Sequence, residues 1–347
     1  MKEHAIIPIF IPHLGCPHAC VFCNQTKITA RQPLLSAGDV EKIIETYLPT
    51  LQGRGLKTIE AAFFGGSFTG IPLELQRDYL SAAKKYKNRG DIDKIHISTR
   101  PDYISEEILD LLAEYGVDII ELGVQSFDEE VLRLANRGHD AGAVYKSAEQ
   151  IKSRGFELGI QLMIGLPGDS FEKDIYSAGE MVKIGPSIAR LYPTVVIEET
   201  ELYDMYQAGR YKPLSTEEAV RITKEMYKLI SGAGINIIRV GLKSTDIIRR
   251  DGSTAGDSFH PAFRQLVEGE IARETLEGEL GGLLEKNPEL SRIRMLSNEK
   301  SFSNMIGNRK VNKDYFKNKY PALSIEYGID KNLEDYCYRI SDPAESS

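Results

Sequence analysis

The chain has 347 residues, 41% of them hydrophobic and 27% charged, the proportions of a globular protein rather than a disordered or fibrous one. Its 43 Lys and Arg against 51 Asp and Glu leave a net charge of −8, which excludes a polyanion binder acting through overall charge but leaves room for a local basic patch. No uncharged apolar run approaches the ~20 residues of a membrane helix. The start, MKEHAIIPIFIPHLGC, lacks a small-residue cleavage site, so it reads as mature protein with the cytosol as its default address.

In chain order, short β-rich runs alternate with helix-length stretches. Strand 5–11 precedes helix 38–51, strand 58–64 precedes helix 73–87, and strand 94–99 precedes helix 105–114. Strand 118–124 leads to helices 128–135 and 141–153, strand 157–164 to helix 171–183, and strand 189–197 to helix 216–231. A weaker apolar run, 235–240, closes the series. Several of these runs are almost continuously apolar, as parallel strands covered on both faces are. The repetition predicts an α/β fold, a partial (β/α) TIM-type barrel of about six parallel strands. An open doubly wound sheet is the alternative.

From about Thr245 the alternation fades, which divides the chain into a barrel over 1–245 and a smaller α-rich or mixed C-terminal extension over 246–347. There 251–256 reads as a loop and 259–284 as an acidic helix. Residues 291–320 then carry eight Lys and Arg, from Arg292 to Lys319, against Glu299 and Asp314. A solvated helical face is one reading. The other is a substrate- or RNA-binding patch over 292–319, with Phe302, Tyr315, Phe316 and Tyr320 available for stacking.

The strongest local signal is Gly15-Cys16-Pro-His-Ala-Cys20-Val-Phe22-Cys23, immediately after the first strand, where a β/α barrel presents its active-site loops. Three thiols within eight residues suit an iron–sulfur or metal site better than a disulfide. A CxxxCxxC loop can direct three thiolates at one cubic cluster and leave the fourth iron open. The other reading is a zinc site completed by His13, His18 or Cys337. Cys337, alone near the far end, otherwise reads as a small buried hydrophobe.

These residues resemble the radical S-adenosylmethionine superfamily: CxxxCxxC with Phe22 before the last cysteine, on a β/α pattern. Further stretches follow in order: Phe64-Gly65-Gly66-Ser67, Ser98-Thr99-Arg100-Pro101-Asp102, Glu121-Leu122-Gly123-Val124-Gln125-Ser126 running to Asn136-Arg137-Gly138-His139, and Gly159-Ile160-Gln161 running to Gly165-Leu166-Pro167-Gly168. The set resembles the radical domain of the Elongator catalytic subunit, a tRNA wobble-uridine modifying family, over roughly residues 5–245, and more distantly oxygen-independent coproporphyrinogen oxidase. The Elongator subunit spaces its cysteines more widely and carries a C-terminal acetyltransferase domain, for which the tail here is short. The coproporphyrinogen enzyme has a further cysteine where this chain has Asn24-Gln25.

The resemblance implies two cofactors, a [4Fe–4S] cluster on Cys16, Cys20 and Cys23 and S-adenosylmethionine, which together yield methionine and a 5′-deoxyadenosyl radical. It also implies a role for each motif. Backbone carbonyls of Gly65 and Gly66 meet the cofactor's ammonium. Arg137, twelve residues after Gln125, meets its carboxylate with a planar fork. Gln125 and Gln161 line the ribose, with Ser98 a further contact. Phe22 offers its backbone to the adenine, and the Gly165-Leu166-Pro167 turn packs on the base. His13, His18, His139, Tyr192, Glu198 and Glu199 fall near strand ends and receive no catalytic role. The leading reading is therefore an enzyme acting on tRNA or another RNA base, supplied with electrons by a flavodoxin- or ferredoxin-type donor and without a membrane. The alternatives are a small-molecule or peptide substrate, or a non-catalytic iron–sulfur RNA-binding protein. Oligomeric state is not legible.

Overall fold

Side-chain caps begin most of the helices that separate the strands. Ser36 accepts from Asp39 N at 3.2 Å while Asp39 reaches back to Ser36 N at 2.9 Å, and Ser215 and Glu218 repeat that reciprocal cap. Ser105, Asp128, Asp140, Ser170 and Thr200 each accept from a backbone N–H three residues on. Such caps satisfy N–H groups that a helix cannot pair internally. The helices they begin are α1 (Ala37–Leu51), α3 (Glu106–Glu114), α4 (Glu129–Leu134), α5 (Ala141–Ser153), α6 (Phe171–Ile184), α7 (Glu201–Gln207) and α8 (Thr216–Gly232), while α2 (Leu73–Asn88) starts behind Pro72 without a side-chain cap. The computed structural model describes residues 3–11, 20–23, 34–242 and 254–341. Cys16, His13, His18, Asn24, Gln25 and the expected boundary at Thr245 lie outside them.

The strands are β1 (His4–Ile11), β2 (Thr58–Gly65), β3 (Lys94–Thr99), β4 (Ile119–Gln125), β5 (Glu157–Ile164), β6 (Ile188–Pro193), β7 (Val196–Ile197) and β8 (Asn236–Val240). All but β7 form one parallel sheet in the order β1-β2-β3-β4-β5-β6-β8. Each crossover moves one place in the same sense, whereas a doubly wound sheet reverses from a central strand. The architecture is a partial TIM-type barrel, with seven strands rather than six because the weak run at 235–240 pairs with β6. The expected strand 189–197 is broken: β6 ends at Pro193, which has no N–H for a further ladder bond. Val196–Ile197 instead pairs antiparallel with β9 (Thr254–Ala255).

Register sorts the side chains onto two faces. Ile7, Ala61 and Ile95 align, as do Leu122, Ile160 and Ala189, and all six are fully buried in the core beneath the helices. Each large aliphatic side chain buried there contributes about 1.5–3 kcal/mol. The opposite face is polar. It aligns Ser98 with Glu121, and Gly123 with Gln161 and Arg190.

A single 24-residue helix, α9 (Phe263–Lys286), leads away from the barrel. Phe263 and Val267 belong to the barrel core, whereas Ala272, Leu276 and Leu280 belong to a second core with Ile293, Met295 and Phe316. That second core lies against a three-stranded sheet of β10 (Arg292–Ser297), β11 (Ser324–Ile329) and β12 (Tyr338–Ser341), with α10 (Phe302–Ile306) and α11 (Val311–Lys319) between β10 and β11. The extension is thus mixed. The stretch from 291 is a strand followed by two short helices. No helix among the described residues is long and apolar enough to cross a membrane.

Candidate functional site

The carboxyl ends of the barrel strands enclose a cavity of about 370 Å³, within the range that small-molecule sites occupy. Cys20, Phe22, Cys23, Gly65, Gly66, Ser98, Gln125, Arg137 and Gln161 all line it. These nine residues therefore meet around one space; Cys16 lies outside the described residues.

The cysteine turn is held from both sides. Cys23 N donates to Cys20 O at 2.9 Å, Val21 N to Ala135 O at 3.1 Å after α4, and Leu202 N on α7 to Val21 O at 2.7 Å. Val21 shares a buried apolar cluster with Val131, Leu166, Val196 and Leu202. The helix absent from the sequence reading, α7, is thus one of the turn's anchors. Cys20 is buried and Cys23 half-buried, and both thiols are soft donors suited to iron or zinc.

Two arginines converge on this turn. Arg137 Nη1 lies 3.1 Å from Cys20 Sγ, its Nη2 donates to Gly123 O, and its guanidinium sits 6.0 Å from the Phe22 ring centroid. Its Nε, although buried, has no hydrogen-bond partner among the described residues, and neither does Gln125 Oε1. Arg100, unassigned in the sequence reading, is 3% exposed. It forks onto Asp102 at 2.9 and 3.0 Å and donates to Arg137 O. The signal was present as an arginine two residues before an aspartate at a strand end.

Backbone geometry opens the space. Gly65 has φ +103°, and a Cβ there would lie 2.7 Å from Ile11 O. At Gly123 a Cβ would stand 3.2 Å from Gln125 Nε2 and 3.8 Å from Arg137 Nη2. Gln125 itself takes φ +77° where the β4–β5 register slips, a bulge that re-aims the side chain toward the cavity. The rest of the wall is mostly apolar, built by Phe10, Met163, Val195, Ile197 and Leu242, with Tyr192 as a polar member.

Beneath the cavity a row of basic and acidic side chains alternates, from the exposed His4 to the buried Arg190. His4 Nε2 lies 2.9 Å from Glu60, whose other oxygen is 3.3 Å from His96 Nδ1. His96 Nε2 is 3.6 Å from Glu121 Oε2, which accepts from Arg190 Nε at 2.7 Å. Burial pushes the Glu60 carboxyl up, but His4 and His96 outweigh it and hold it at about 2. Burial also pushes Glu121 up, and Arg190 and His96 reverse that, so it stays below the ordinary carboxylate value. Burial pulls His96 down, yet Glu121 and Glu60 leave it above the ordinary imidazole value. Arg190 Nη1 donates to Tyr192 Oη at 3.2 Å. The sequence reading missed this row. Its trace is a charged residue in each of the otherwise apolar runs TIEAAFF, KIHIST, IIELGV and IARLY.

Other expected candidates fall elsewhere. Glu198 and Glu199 are exposed. His139 is half-buried, and burial together with Arg137 lowers its ring to about 4, but it is not in the cavity wall. The Gly165-Leu166-Pro167 turn does not line the cavity either: Leu166 joins the cluster behind Val21, and Gly165 O accepts from Tyr211 Oη at 2.7 Å. Cys337 is exposed before β12 rather than buried, because the side chain packed into that core is the neighbouring Tyr338. In the basic stretch, Phe316 is fully buried and so is not free to stack. Arg292 and Arg294 pair with Glu326, Lys300 with Asp335, and Lys319 with Glu277.

Comparison with known proteins places these observations. Residues 10–177 match the Radical SAM superfamily and residues 186–273 the Radical_SAM C-terminal domain. An uncharacterized protein of Methanocaldococcus jannaschii is 30% identical over 234 residues, covering 65% of this chain and 71% of its own length. The tRNA uridine(34) acetyltransferase of Methanocaldococcus infernus is 29% identical over 63% of this chain and 48% of its own. Human Elongator complex protein 3 is 30% identical over 65% of this chain and 49% of its own. The chain thus spans about half the length of these Elongator-type relatives. In structure, the archaeal Elp3 of M. infernus, lacking its N-terminus, superposes with TM-score 0.62 at 24% identity, covering 80% of this chain and 64% of that one.

Proposed function

The chain belongs to the radical S-adenosylmethionine superfamily and is one of its enzymes, and from that premise we propose that it cleaves S-adenosylmethionine at a [4Fe–4S] cluster in order to modify an RNA base, a tRNA base first among them. The observation that carries the reading is the pair of orphaned atoms in the cavity wall. Arg137 Nε and Gln125 Oε1 are buried without partners among the described residues, although buried polar atoms as a rule have them. A donor and an acceptor left open beside two thiols suit a polar, zwitterionic ligand lying against a thiolate-held metal group.

In this reading Cys20 and Cys23, with Cys16, hold the cluster. The Gly65 and Gly66 carbonyls take the cofactor's ammonium, Arg137 its carboxylate, Gln125, Gln161 and Ser98 its ribose, and the Phe22 backbone its adenine. Bound there, the two cofactors supply one-electron cleavage to methionine and a 5′-deoxyadenosyl radical that takes hydrogen from the substrate. The protein's own part is to orient and to exclude water. Val195, Ile197 and Leu242 give the cavity an apolar stretch of wall. No side chain is assigned as acid or base, and the electron comes from a flavodoxin- or ferredoxin-type donor.

The RNA substrate draws its support from relatives named for tRNA uridine modification. A second reading, a small molecule or peptide, is favoured by the basic stretch, where Arg292, Arg294, Lys300 and Lys319 are engaged by acids of this chain. Anaerobically reconstituted protein, given S-adenosylmethionine and a reductant with and without tRNA, separates the two when 5′-deoxyadenosine is measured. Absence of cleavage sinks the enzymatic reading. Cleavage that tRNA neither stimulates nor couples to a changed nucleoside sinks the RNA reading alone.

A further inference from the structure

Glu121 does not line the cavity, yet its place in β4 decides what the cavity presents. The residue is fully buried, and a Cβ at Gly159 on β5 would lie 3.0 Å from its Cγ, so the glycine makes room for the carboxylate. One oxygen of Glu121 accepts from Arg190 Nε at 2.7 Å and faces His96 at 3.6 Å. The other accepts from the Gln161 amide nitrogen, which also lies 3.2 Å from Ser98 Oγ. A carboxylate has no proton to give, so an amide beside it must turn its NH₂ inward. Gln161 Oε1 is thereby turned away from the charges, toward the cavity that Gln161 lines, and takes no hydrogen bond from the described residues.

We propose that Glu121 is a positioning residue that locks the Gln161 amide with its carbonyl oxygen facing the cavity, making Gln161 an obligate acceptor for a hydroxyl of the bound nucleoside. The proposal rests on the S-adenosylmethionine reading above. It gives the alternating row a purpose beyond stability, since a buried ion pair is weak evidence for stabilisation by itself. His96, itself held by Glu60, and Arg190 balance the charge of Glu121, and the amide receives one fixed orientation. A glutamine without such a neighbour could flip and greet donor and acceptor alike.

The test measures equilibrium binding of S-adenosylmethionine and of its 2′-deoxy and 3′-deoxy analogues to reconstituted protein. In the wild type, the analogue lacking the recognised hydroxyl binds about tenfold or more weakly, the cost of leaving a buried acceptor unmet. Glu121→Gln frees the amide to flip and brings that ratio to within about twofold. Gln161→Leu, which leaves the buried charges untouched, does the same. The double variant Glu121→Gln/Gln161→Glu reverses donor and acceptor across the contact, returns an acceptor to the cavity and restores the ratio. A merely structural Glu121 would lower the thermal midpoint and weaken all three ligands alike. An unchanged ratio in folded Glu121→Gln or in Gln161→Leu, or a ratio that the double variant fails to restore, overturns the proposal. If Glu121→Gln alone does not fold, the double variant and Gln161→Leu decide the matter. A wild type that binds S-adenosylmethionine without hydroxyl preference sinks this inference only, while one that binds none of the three sinks the functional reading and this inference with it.

Discussion

Gly65 ends β2 at a point where two backbones nearly touch. Its φ of +103° is one that side-chain-bearing residues rarely adopt, and the carbonyl of Ile11 would lie 2.7 Å from any Cβ. Neither partner is a flexible side chain, so the conflict has no cheap relief. Gly65→Ala should therefore cost about 2 kcal/mol or more of stability and also displace the cavity rim, weakening S-adenosylmethionine binding. Urea unfolding and ligand titration check both, and an unshifted midpoint would contradict the geometry. Arg137 makes a different demand. Its fork reaches Cys20 Sγ and Gly123 O at once and leaves Nε for a ligand, a division of labour that a single ammonium cannot repeat. Arg137→Lys, although it keeps the charge, should weaken S-adenosylmethionine binding by about tenfold or more while leaving the thermal midpoint close to the wild type. Equal affinities would remove Arg137 from the ligand's first contacts.

At the scale of elements, the turn after β5 and the helix α6 meet through two acids, the half-buried Asp169 and the buried Asp174. Asp169 Oδ2 accepts from Gly165 N at 3.2 Å, and Asp174, 2% exposed, lies close enough to share a proton with it. Burial lifts Asp169 to about 6, and burial together with the Asp169 charge lifts Asp174 well above the ordinary value of 3.8. The folded pair thus holds a proton that the unfolded chain releases sooner. Its stabilising contribution is complete at low pH and fades as pH rises from about 4 through the folded values. Asp174→Asn supplies a permanent donor to Asp169 and should raise the urea midpoint at pH 8 more than at pH 5; an equal change at both would refute the shared proton.

Which elements the sequence disclosed follows from how each buries its surface. The barrel strands are largely apolar because helices cover one face, with only a few polar residues such as Glu121 and Arg190 on the other, and the helix starts between them are marked by caps such as Ser105 and Ser215. Gly65, Ser98 and Gln125 stand out near strand ends and Gln161 within β5, where small or polar residues interrupt the runs, whereas Arg137, past α4, was marked only by the family resemblance. Four features were not legible. The short helix α7 is too brief to show a period. β10 alternates buried Ile293, Met295 and Ser297 with exposed or half-exposed neighbours, but its run of cations drew attention to charge instead. Its partner β11 lies about 30 residues on, a distance over which local pattern carries no pairing information. The row from His4 to Arg190 is invisible without register, since only alignment of the strands brings its members together.

Across the whole molecule, the two cores are tied by one continuous element. The first turns of α9 carry Phe263 and Val267 into the barrel core, and later turns carry Ala272, Leu276 and Leu280 into the second core. Polar contacts follow the same route. Arg264 Nη1 donates to Ile237 O on β8 at 3.1 Å, Lys228 on α8 reaches Glu274 at 2.7 Å, and Asn304 on α10 donates to Glu268 at 2.9 Å. An unbroken helix cannot melt at one end without losing turns that the other end needs, so the small sheet and the β8 edge of the barrel should open together. Leu276→Ala removes a fully buried side chain from the second core, a change that typically costs about 2–5 kcal/mol. The expected signature is a single, shifted denaturant transition, with faster amide exchange in β10–β12 and, by a similar factor, in α8 and β8. Exchange that quickens in the small sheet alone, or a second transition at low denaturant, would mean that the C-terminal unit is carried by the barrel without being coupled to it. The cavity wall contributed by Leu242, just past β8, would then be insulated from changes in the extension.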